Sequence, residues 1–423
     1  MSQSPPCPPL TVWVFVTTFP SLTTTFLVRR IQGLIARGFS IHIIAEGHGE
    51  LRTPAPEQEA LLPLVRWAFP VGKRFARLAE AFLHVATVNP AVACHACDPL
   101  RFRNLAGPKL LAVGALLRDL PPPDVVLGCF GSQGELACAL RALGFFSAPV
   151  VTSFHGVDAY GKPPDHLHRR YRLLRQRGDL YLPVSHHMAD RLMQAGLDGR
   201  RMQVLHTPIR CAQFQWRPPQ PQPSGQPLKI IGLGRLAEKK GFLDSLHVIA
   251  ALVRSGRAVH FDLYGEGVQR QELERLAQQL GIVDKVAFHG PVAHDVAIAA
   301  FSKAHLFLST NRVASNGDCE GIPNTIKEAM AIGLPVVATR HSGTPELVVD
   351  GEHGLLADEG DVPALANACT RFADDHALAL RCAVAARQRV ETQFDETQLN
   401  DRLADLLLAQ INRTRSGEAA CVE

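Results

Sequence analysis

KIIGLGRLA, residues 229–237, joins a short apolar run to a turn with two glycines, and this pattern predicts a buried strand that leads into a helix. Similar runs recur along the chain, and each is followed by a helical stretch. The predicted strands are Val12–Val16, Ile41–Ala45, Val125–Cys129, Val150–Phe154, Leu180–Val184, Lys229–Gly234, His260–Tyr264, Val286–His289, Leu306–Ser309 and Pro335–Ala338. Runs this short and apolar are typical of parallel strands that are buried on both faces. The sequence therefore predicts an α/β protein with two Rossmann-like, doubly wound domains.

A proline-rich segment separates the two sets of strands. Residues 217–227 read RPPQPQPSGQP, which is typical of an extended linker that does not pack. We expect an N-terminal domain over residues 1–211, a linker over residues 212–228, and a C-terminal domain over residues 229–411 that ends in closing helices. Because paired α/β domains bind ligands between the carboxyl ends of their sheets, we place the functional site in the cleft.

The composition excludes several classes of protein. The chain has 423 residues, of which 46% are hydrophobic and 20% are charged, so it is neither disordered nor fibrous. No apolar run approaches the roughly 18 residues that span a bilayer. The N-terminus lacks the basic and apolar regions of a signal peptide. Ten scattered cysteines are typical of reduced thiols. We therefore expect a cytoplasmic protein.

The charge is divided unevenly between the halves of the chain. Residues 1–210 carry 23 Lys and Arg against 14 Asp and Glu, a charge of +9, whereas residues 211–423 carry 21 against 26, a charge of −5. This asymmetry indicates that the halves meet different partners. Nucleic acid is not expected, because the basic residues are not interleaved with stacking aromatic residues.

Two basic stretches allow two interpretations. Arg169–Arg177 is a basic helical stretch, and residues 66–75 mix cations with aromatic side chains. Such a surface can rest on anionic lipid and meet a lipid-linked substrate, which would make the protein peripheral at the inner face of the membrane. The same pattern is also typical of a solvated helix face.

The turn after the strand at residues 229–234 carries the first candidate ligand-binding residues. Its G-x-G-x-x-A spacing matches a dinucleotide fingerprint, but Arg235 places a long cation where a pyrophosphate would have to approach the backbone. Arg235 together with Lys240 instead favours a clamp for a diphosphate. The alternative is two solvated surface cations.

A second pattern lies between Glu320 and Glu328. Gly321 allows close backbone approach, and Pro323 suits the first turn of a helix whose free N–H groups favour phosphate. Two carboxylates beside an anion-binding site would repel the bound anion unless each of them binds neutral hydroxyl groups. Sugars supply such hydroxyl groups. The combination indicates a nucleotide sugar. An isolated pair of glutamates at this spacing would indicate only a loop residue and a solvated helix face.

The pair is not isolated. The motifs occur in this order: Gly232–Leu236 with Lys240-Gly241, Leu263–Gly267, Val286–Gly290, Glu320–Glu328, Gly333–Thr339, Gly343–Leu347 and Asp350–Gly354. This succession resembles the C-terminal half of family 4 retaining glycosyltransferases, which have the GT-B fold of two Rossmann-like domains that face each other across a cleft. The first half matches through Phe19-Pro20, Ser153–Asp158 and Val184-Ser185. The likeness is greatest to the branch that builds bacterial exopolysaccharide repeat units of the colanic-acid or amylovoran kind.

The resemblance implies roles for individual residues. Catalytic roles fall on cations that hold the donor diphosphate, a glutamate that binds the transferred sugar and a histidine near the anomeric carbon; these are Arg235, Lys240, Glu320 and His155. Donor-binding roles fall on the glycine turns, the amides after Glu320 and the glutamate on the ribose; these are Gly234, Gly290, Gly321, Ile322 and Glu328. Of these, the placement of Gly290 near the base rests on the segment Phe288–Gly290.

The implied reaction transfers a sugar, with retention, from a UDP- or GDP-sugar to a saccharide acceptor that is expected to be lipid-linked. We expect no cofactor and no metal, because no Asp-x-Asp pair occurs in the chain. The alternatives are a sugar-nucleotide epimerase of the same fold and a nucleotide-sugar-binding subunit without catalysis. Two departures from the branch pattern, Thr24 in place of a glutamate and Arg210 in place of an aspartate, put the acceptor more in doubt than the donor.

Overall fold

The computed structural model describes residues 9–21, 25–49, 54–69, 94–98, 102, 105 and 107–417. These residues form two parallel six-stranded sheets with helices on both faces of each sheet. The strands of the first sheet are β1 (Thr11–Phe19), β2 (Ser40–His48), β3 (Val65–Phe69), β4 (Val125–Cys129), β5 (Val150–Phe154) and β6 (Leu180–Pro183). The strands of the second are β7 (Leu228–Leu233), β8 (Val259–Tyr264), β9 (Val286–Gly290), β10 (Leu306–Ser309), β11 (Val336–Thr339) and β12 (Leu355–Ala357).

Both sheets have the same topology. The first has the order β3-β2-β1-β4-β5-β6, and the second has the order β9-β8-β7-β10-β11-β12. In each, the first strand of the domain lies near the middle and the chain then reverses its direction of winding. The point of reversal opens a crevice at the carboxyl ends of the central strands. The predicted pair of doubly wound α/β domains is confirmed.

Two edge strands were not predicted. β3 carries Arg66 and Trp67 within five residues, and β12 has only three residues, so neither gives a continuous apolar run. An edge strand is buried less completely than a central strand and tolerates polar side chains. The sequence pattern therefore missed β3 and β12, although it identified the other two edge strands, β6 and β9.

The helices of the first half are α1 (Thr25–Ala36), α2 (Pro56–Glu59), α3 (Pro108–Leu117), α4 (Gly131–Ala142), α5 (Gly156–Ala159), α6 (Pro164–Arg170), α7 (Arg172–Arg177) and α8 (His186–Gln194). Those of the second half are α9 (Phe242–Arg254), α10 (Arg270–Gln279), α11 (His294–Phe301), α12 (Asn324–Ile332), α13 (Thr344–Leu347), α14 (Val362–Asp374), α15 (His376–Gln393) and α16 (Glu396–Arg415). Within the described part of the chain, none of these helices is both long enough and apolar enough to cross a membrane.

Each sheet is covered by an apolar cluster on both faces. Along β1, Trp13 and Phe15 enter one cluster, whereas Val12, Val14 and Val16 enter the other. Side chains of a strand alternate between its faces, so an uninterrupted apolar strand needs helices on both sides. The parallel arrangement then brings all strand carboxyl ends to one edge of each sheet.

The last helix, α16, returns to the first domain. Leu399, Leu403, Leu407 and Ile411 recur at intervals of four residues and pack into the cluster that covers β1 and α1. We expected residues 229–411 to form the second domain, but this helix buries its apolar face on the first. The chain therefore crosses between the domains twice.

Arg210 takes part in this return. Its guanidinium pairs with Glu396 at the start of α16, with 2.6 Å between Nε and Oε1, and with Glu57 at 3.1 Å. The departure at Arg210 thus has a structural explanation, because it attaches α16 to the end of the first domain. Thr24, the other departure, lies outside the described residues. The expected linker also packs in part, since Phe214 is buried and the amide of Arg217 donates to the carbonyl of Ile332.

We expect Leu403→Ala to lower the free energy of unfolding by about 2–5 kcal/mol, because it deletes a fully buried side chain and leaves a cavity. Chemical denaturation followed by circular dichroism measures the change. Leu380→Ala is the matched control, because Leu380 lies on α15 with a 36% exposed side chain. Equal effects of the two substitutions would contradict the packing of α16 described above.

Candidate active site

Three glycine turns lie together at the carboxyl ends of β7, β8 and β9. The amide of Gly234 donates to the carbonyl of Tyr264 at 3.0 Å, and the amide of Gly265 donates to the carbonyl of Gly290 at 2.8 Å. Gly265 has φ +134°, and a Cβ there would lie 1.8 Å from the carbonyl oxygen of Gly234. Only glycine allows the strand ends to approach this closely. The turns thus form a compact floor for the cleft.

Two lysines follow the first of these turns. Glu238–Lys240 forms one turn of 3₁₀ helix, and Gly241, with φ +65°, then starts α9. A Cβ at Gly241 would overlap the carbonyl oxygen of Thr310, so glycine is required where this turn meets the end of β10. The close approach places the lysines beside the loop between β10 and α12.

The lysines converge on Glu320 in that loop. Lys240 Nζ lies 3.3 Å from Glu320 Oε2, and Lys239 Nζ lies 3.3 Å from Glu320 Oε1 and 3.1 Å from Asp318 Oδ2. We call Lys239, Lys240, Asp318 and Glu320 the ion cluster. The structure brings the predicted residues Lys240 and Glu320 together. Lys239 and Asp318 were not predicted, although the adjacent Lys239-Lys240 pair was a signal for a doubled cation.

The opposite charges of the ion cluster stabilise each other's charged forms. Burial acts to raise the pKa of Glu320, but Lys240 and Lys239 more than offset it, so this pKa is lowered overall. Burial likewise acts to lower the pKa of Lys239, yet Glu320 and Asp318 leave this pKa raised. The carboxylate and the ammonium group are therefore both charged at neutral pH. The cluster presents fixed charge to the cleft.

The backbone of Glu320 is positioned by a fully buried histidine. The Glu320 amide donates to His341 Nε2 at 3.1 Å, and His341 Nδ1 lies 2.6 Å from Glu359 Oε1. Because Nε2 accepts, the proton of the imidazole is on Nδ1, which donates to Glu359. The hydrogen bonds from Glu320 to His341 and from His341 to Glu359 thereby fix the loop between β10 and α12. His341 was not predicted as part of the site, because its partners Glu320 and Glu359 are distant in sequence.

Arg235 lies on the same turn as Gly234 but outside the ion cluster. Its side chain is exposed, and it makes no ion pair with the described residues. Arg235 and Lys240, the two residues of the predicted clamp, therefore lie near each other in the loop after β7, but they share no contact partner among the described residues. Gly321 and Ile322 lie at the far side of the cluster, where the Gly321 carbonyl accepts from the amide of Gly343 at 3.2 Å.

Glu328 occupies a separate position on α12. Its Oε1 lies 3.3 Å from His294 Nε2 at the start of α11, and this hydrogen bond raises the pKa of His294. α11 follows the turn at Gly290, so Glu328 and Gly290 lie on the same side of the cleft floor. Helix α12 begins at Asn324, directly after Pro323. The two glutamates of the motif therefore contact different partners, as expected if they bind different parts of one ligand.

His155 lies at the carboxyl end of β5 in the first domain. It is 8% exposed, its Nε2 lies 3.3 Å from Ser153 Oγ, and its ring packs 4.4 Å from Phe26 and 4.9 Å from Phe130. Burial, reinforced by Arg30, lowers the pKa of His155 well below its usual value, so the imidazole is neutral. No described contact joins it to the ion cluster. His155 directly follows β5, as the sequence predicted.

Glu346 connects the two domains. Its carboxylate oxygens accept from the amides of His186 at 2.8 Å and His187 at 3.0 Å, which are the first residues of α8. These N–H groups have no acceptor within their own helix, and the positive end of a helix favours a carboxylate. A helix of the first domain is therefore capped by a side chain of the second. Glu346 is 159 and 160 residues from these amides, so no local pattern predicts the contact.

Further contacts lie beside this cap. His187 Nδ1 lies 3.1 Å from Tyr160 Oη and 3.0 Å from Ser342 Oγ, and the two hydroxyls are 3.1 Å apart. The Gly161 amide donates to the Gly317 carbonyl at 2.9 Å. These bonds join residues that are far apart in sequence, which is why no local pattern predicted them.

The buried Lys327 is another contact between the domains. Its Nζ donates to the carbonyl of Thr207 at 2.6 Å and lies 5.8 Å from the centre of the Phe394 ring. Burial lowers the pKa of Lys327 to about 7. The apolar surroundings therefore favour the uncharged amine over the ammonium form.

The two halves of the chain match two family models. Residues 23–213 match "Glycosyltransferase Family 4", and residues 214–389 match "Glycosyl transferases group 1". The putative colanic acid biosynthesis glycosyltransferase WcaL of Escherichia coli is 32% identical over 408 residues, which cover 94% of this chain and 99% of that protein. The chain belongs to glycosyltransferase family 4. It is a glycosyltransferase, and the expected resemblance is confirmed.

Other relatives and solved structures agree with this assignment. The amylovoran biosynthesis glycosyltransferase AmsK of Erwinia amylovora is 29% identical over 93% of this chain and 98% of that protein. The HepE structure from Anabaena in complex with UDP has a TM-score of 0.71 at 17% identity, and it covers 95% of this chain and 100% of that one. Sucrose-phosphate synthase from Thermosynechococcus elongatus has a TM-score of 0.66 at 18% identity, with coverages of 95% and 99%. The GT-B fold of this glycosyltransferase is therefore confirmed.

Among the described residues, no group of three or more His, Cys, Asp or Glu side chains is arranged to hold a metal ion. Cys94 and Cys97, which share a C-x-x-C spacing, are exposed free thiols.

We expect Lys327→Met to flatten the pH dependence of stability between about pH 7 and pH 10. In that range the unfolded chain binds a proton at Lys327, whereas the folded enzyme does not, so the free energy of unfolding of the wild type rises with pH. Urea unfolding at several pH values measures the slope. Lys303→Met is the control, because Lys303 is exposed. Parallel curves for the wild type and Lys327→Met would show that this lysine is not buried as described.

Proposed function

We propose that this glycosyltransferase transfers a sugar, with retention, from a UDP- or GDP-sugar to a saccharide acceptor that is carried on a lipid. The observation that carries the proposal is the ion cluster, in which the Nζ of Lys240 lies 3.3 Å from Glu320 Oε2 beside three glycine turns. A cation paired with a carboxylate at such a floor suits a ligand that carries both a diphosphate and hydroxyl groups.

In this proposal the donor lies across the carboxyl end of the second sheet. Lys240 and Arg235 hold the diphosphate, Glu320 binds hydroxyls of the transferred sugar, and the amides of Gly321 and Ile322 meet phosphate or sugar. The exposed guanidinium of Arg235 is available for this contact, since it makes no ion pair with the described residues. Gly234 provides the close backbone approach at the turn between them.

The other end of the donor lies beside Glu328 and Gly290. Glu328 binds the ribose hydroxyls, and its carboxylate is oriented by His294 at 3.3 Å. Aromatic residues adjoin Gly290: the rings of Tyr264 and His289 stack at 4.2 Å, and the guanidinium of Arg270 lies 5.0 Å from the centre of the Phe288 ring. A base can stack against such a surface.

Catalysis then depends on positioning and on stabilising the leaving group. Breaking the bond between the sugar and the diphosphate concentrates negative charge on the diphosphate, and fixed cations stabilise that charge more in the transition state than in the ground state. The incoming hydroxyl reaches the anomeric carbon from the same face as the leaving phosphate, which gives retention. His155, neutral and buried, bounds the sugar from the first domain.

The relatives support a role in polysaccharide synthesis. WcaL is named for colanic acid biosynthesis and AmsK for amylovoran biosynthesis, and the chain aligns with nearly their full length. We place this enzyme in exopolysaccharide or cell-surface polysaccharide synthesis, in the cytoplasm, with a peripheral contact to the inner face of the membrane. A sugar-nucleotide epimerase would interconvert the free donor, and a non-catalytic subunit would leave it intact.

A thermal-shift screen of UDP-, GDP- and ADP-sugars tests the donor. A ligand that binds only the folded cleft raises the melting temperature, by an amount that grows with its concentration relative to its Kd. We expect a UDP- or GDP-sugar to raise the melting temperature, and we expect slow hydrolysis of that donor without an acceptor. Conversion to an epimeric nucleotide sugar would support the epimerase instead.

We expect Lys240→Ala to lower kcat by at least about 100-fold, since removing a charge aimed at the leaving group costs ~3 kcal/mol or more in comparable sites. Donor hydrolysis measured by nucleotide release reports the change. Lys285→Ala is the control, because Lys285 precedes β9 at the amino end of that strand and pairs with its neighbour Asp284. Near-normal turnover of Lys240→Ala would remove this residue from the site.

We expect activity to persist in excess EDTA, because cationic side chains neutralise the diphosphate. The enzyme is dialysed against EDTA and assayed with and without added Mg²⁺ or Mn²⁺. A strict requirement for either ion, restored by its addition, would refute the mechanism proposed here.

A further inference from the structure

We propose that Glu359 is a positioning residue for the transfer and that it fixes Glu320 through the imidazole of His341. Glu359 follows β12 and lies outside the ion cluster, so its effect on Glu320 passes through hydrogen bonds. The inference rests on the proposed function, in which Glu320 binds hydroxyls of the transferred sugar. It adds a residue that contributes to the site by orienting another side chain and not by contact with the donor.

Three neighbouring strands bring these residues together. The loop over residues 310–323 follows β10, His341 lies just after β11 and Glu359 lies just after β12, and these strands are adjacent in the second sheet. Parallel strands end at the same edge of a sheet, so the segments that follow them lie side by side. His341 is fully buried, whereas the Glu359 side chain is 31% exposed. A substitution of Glu359 therefore removes little core packing.

The carboxylate of Glu359 accepts two hydrogen bonds. Its Oε2 accepts from the amide of Val313 at 2.9 Å, and its Oε1 accepts from Nδ1 of His341 at 2.6 Å. Nε2 of His341 in turn accepts from the amide of Glu320 at 3.1 Å. Val313 lies near the start of the loop, and Glu320 lies near its end. One carboxylate therefore holds both ends of the segment that carries Asp318 and Glu320.

The tautomer of His341 is matched to this carboxylate. A backbone amide donates and does not accept, so the hydrogen bond from Glu320 requires an Nε2 without a proton. The proton of the neutral imidazole is then on Nδ1, where Glu359 supplies the acceptor. With the proton on Nε2, two N–H groups would face each other, and the Glu320 amide would be left unpaired beside a fully buried ring. Glu359 thus favours the tautomer that holds Glu320.

A glutamine at position 359 would not satisfy the same partners. Its side chain has one acceptor oxygen and an NH₂ group that only donates, whereas the site presents two donors, the Val313 amide and Nδ1 of His341. If the oxygen accepts from Val313, the NH₂ group faces Nδ1 and drives the proton to Nε2, where it opposes the Glu320 amide. If the oxygen accepts from Nδ1, the NH₂ group opposes the Val313 amide. In either arrangement one end of the loop loses its acceptor.

The position of the Glu320 backbone sets the position of its carboxylate. That carboxylate lies 3.3 Å from Nζ of Lys239 and 3.3 Å from Nζ of Lys240. Displacing the amide therefore shifts the carboxylate relative to both lysines and to the sugar that the proposed function places there. Because that function derives catalysis from positioning, a displacement of about 1 Å is enough to lower turnover by about 100-fold.

Two measurements on the full-length protein test the geometry. NMR of the enzyme with ¹⁵N-labelled histidine reports which ring nitrogen is protonated, and the His341 signals are those that disappear in His341→Phe. We expect the proton on Nδ1. Hydrogen–deuterium exchange followed by mass spectrometry reports on the loop, and we expect faster exchange over residues 310–323 in Glu359→Gln than in the wild type. Asp358→Asn is the matched control, because it removes a neighbouring exposed carboxylate, and it should leave this exchange unchanged.

A third measurement concerns turnover. With the nucleotide sugar that the thermal-shift screen selects, we expect Glu359→Gln to lower kcat for donor hydrolysis by about 10- to 100-fold. The affinity for UDP or GDP alone, measured by calorimetry, should stay unchanged, because these nucleotides lack the sugar that Glu320 binds. His341→Phe keeps a ring but removes the acceptor, so it should lower kcat to a similar extent. The double variant should show no further loss, because both substitutions interrupt the same path to Glu320.

Three results would overturn the inference: a proton on Nε2 in the wild type, unchanged exchange of the loop in Glu359→Gln, or losses of kcat that multiply in the double variant. A loss of affinity for UDP or GDP as large as the loss of kcat would also overturn it, because it would indicate a general structural role. The proposed function fails in a different way, since the wild type itself would then bind no nucleotide sugar. Failure of the inference alone leaves donor binding and hydrolysis by the wild type intact.

Discussion

The capping of helix α8 by Glu346 is the contact on which the geometry of the cleft depends. The candidate site draws residues from both domains, so their separation is set by whatever holds the domains together. A carboxylate shared between two helix-start amides, at 2.8 and 3.0 Å, fixes both distance and direction. Lys327 on Thr207 and the return of α16 to the first sheet add contacts at the opposite side. Together these contacts fix the two strand-end edges relative to each other.

Local backbone strain is concentrated at the same edge. Among the described residues other than glycine, positive φ values occur at Phe130, 78°, and Ser342, 47°. Phe130 starts α4 and packs on His155, and Ser342 contacts Tyr160 and His187 across the cleft. Such conformations cost about 1–3 kcal/mol each and persist where the surroundings impose them. Ser342 therefore lies where side chains of the two domains meet, whereas Phe130 lies beside His155 within the first domain.

The sequence predicted the fold well because the dominant signal was local. Short apolar strands that alternate with helices identify a doubly wound sheet regardless of distant contacts, and the run at residues 229–237 is confirmed as β7 with the turn that follows it. The sequence also predicted that Lys240 and Glu320 lie at the same cleft, since both follow strands of the same sheet, but it did not predict their direct contact. The roles of Glu346, His341 and Asp318 were not predicted, because each depends on a partner that only the folded chain brings near.

The orientation of the basic stretch could not be predicted from its sequence. A helical run such as Arg169–Arg177 gives the same sequence signal whether it faces solvent, a membrane or a cavity, since charge alone carries no direction. The fold supplies the direction by packing α6 and α7 beside α3 and α4.

One loop connects the ion cluster to the first domain. The segment between β10 and α12 carries Asp318 and Glu320 of the ion cluster, and its Gly317 carbonyl accepts the amide of Gly161, next to Lys162. Lys162 and the ion cluster thus both lie within a few residues of one hydrogen bond between the domains. Within the ion cluster, each lysine has a carboxylate oxygen within 3.3 Å. That pairing offsets the desolvation cost that isolated buried ions would carry.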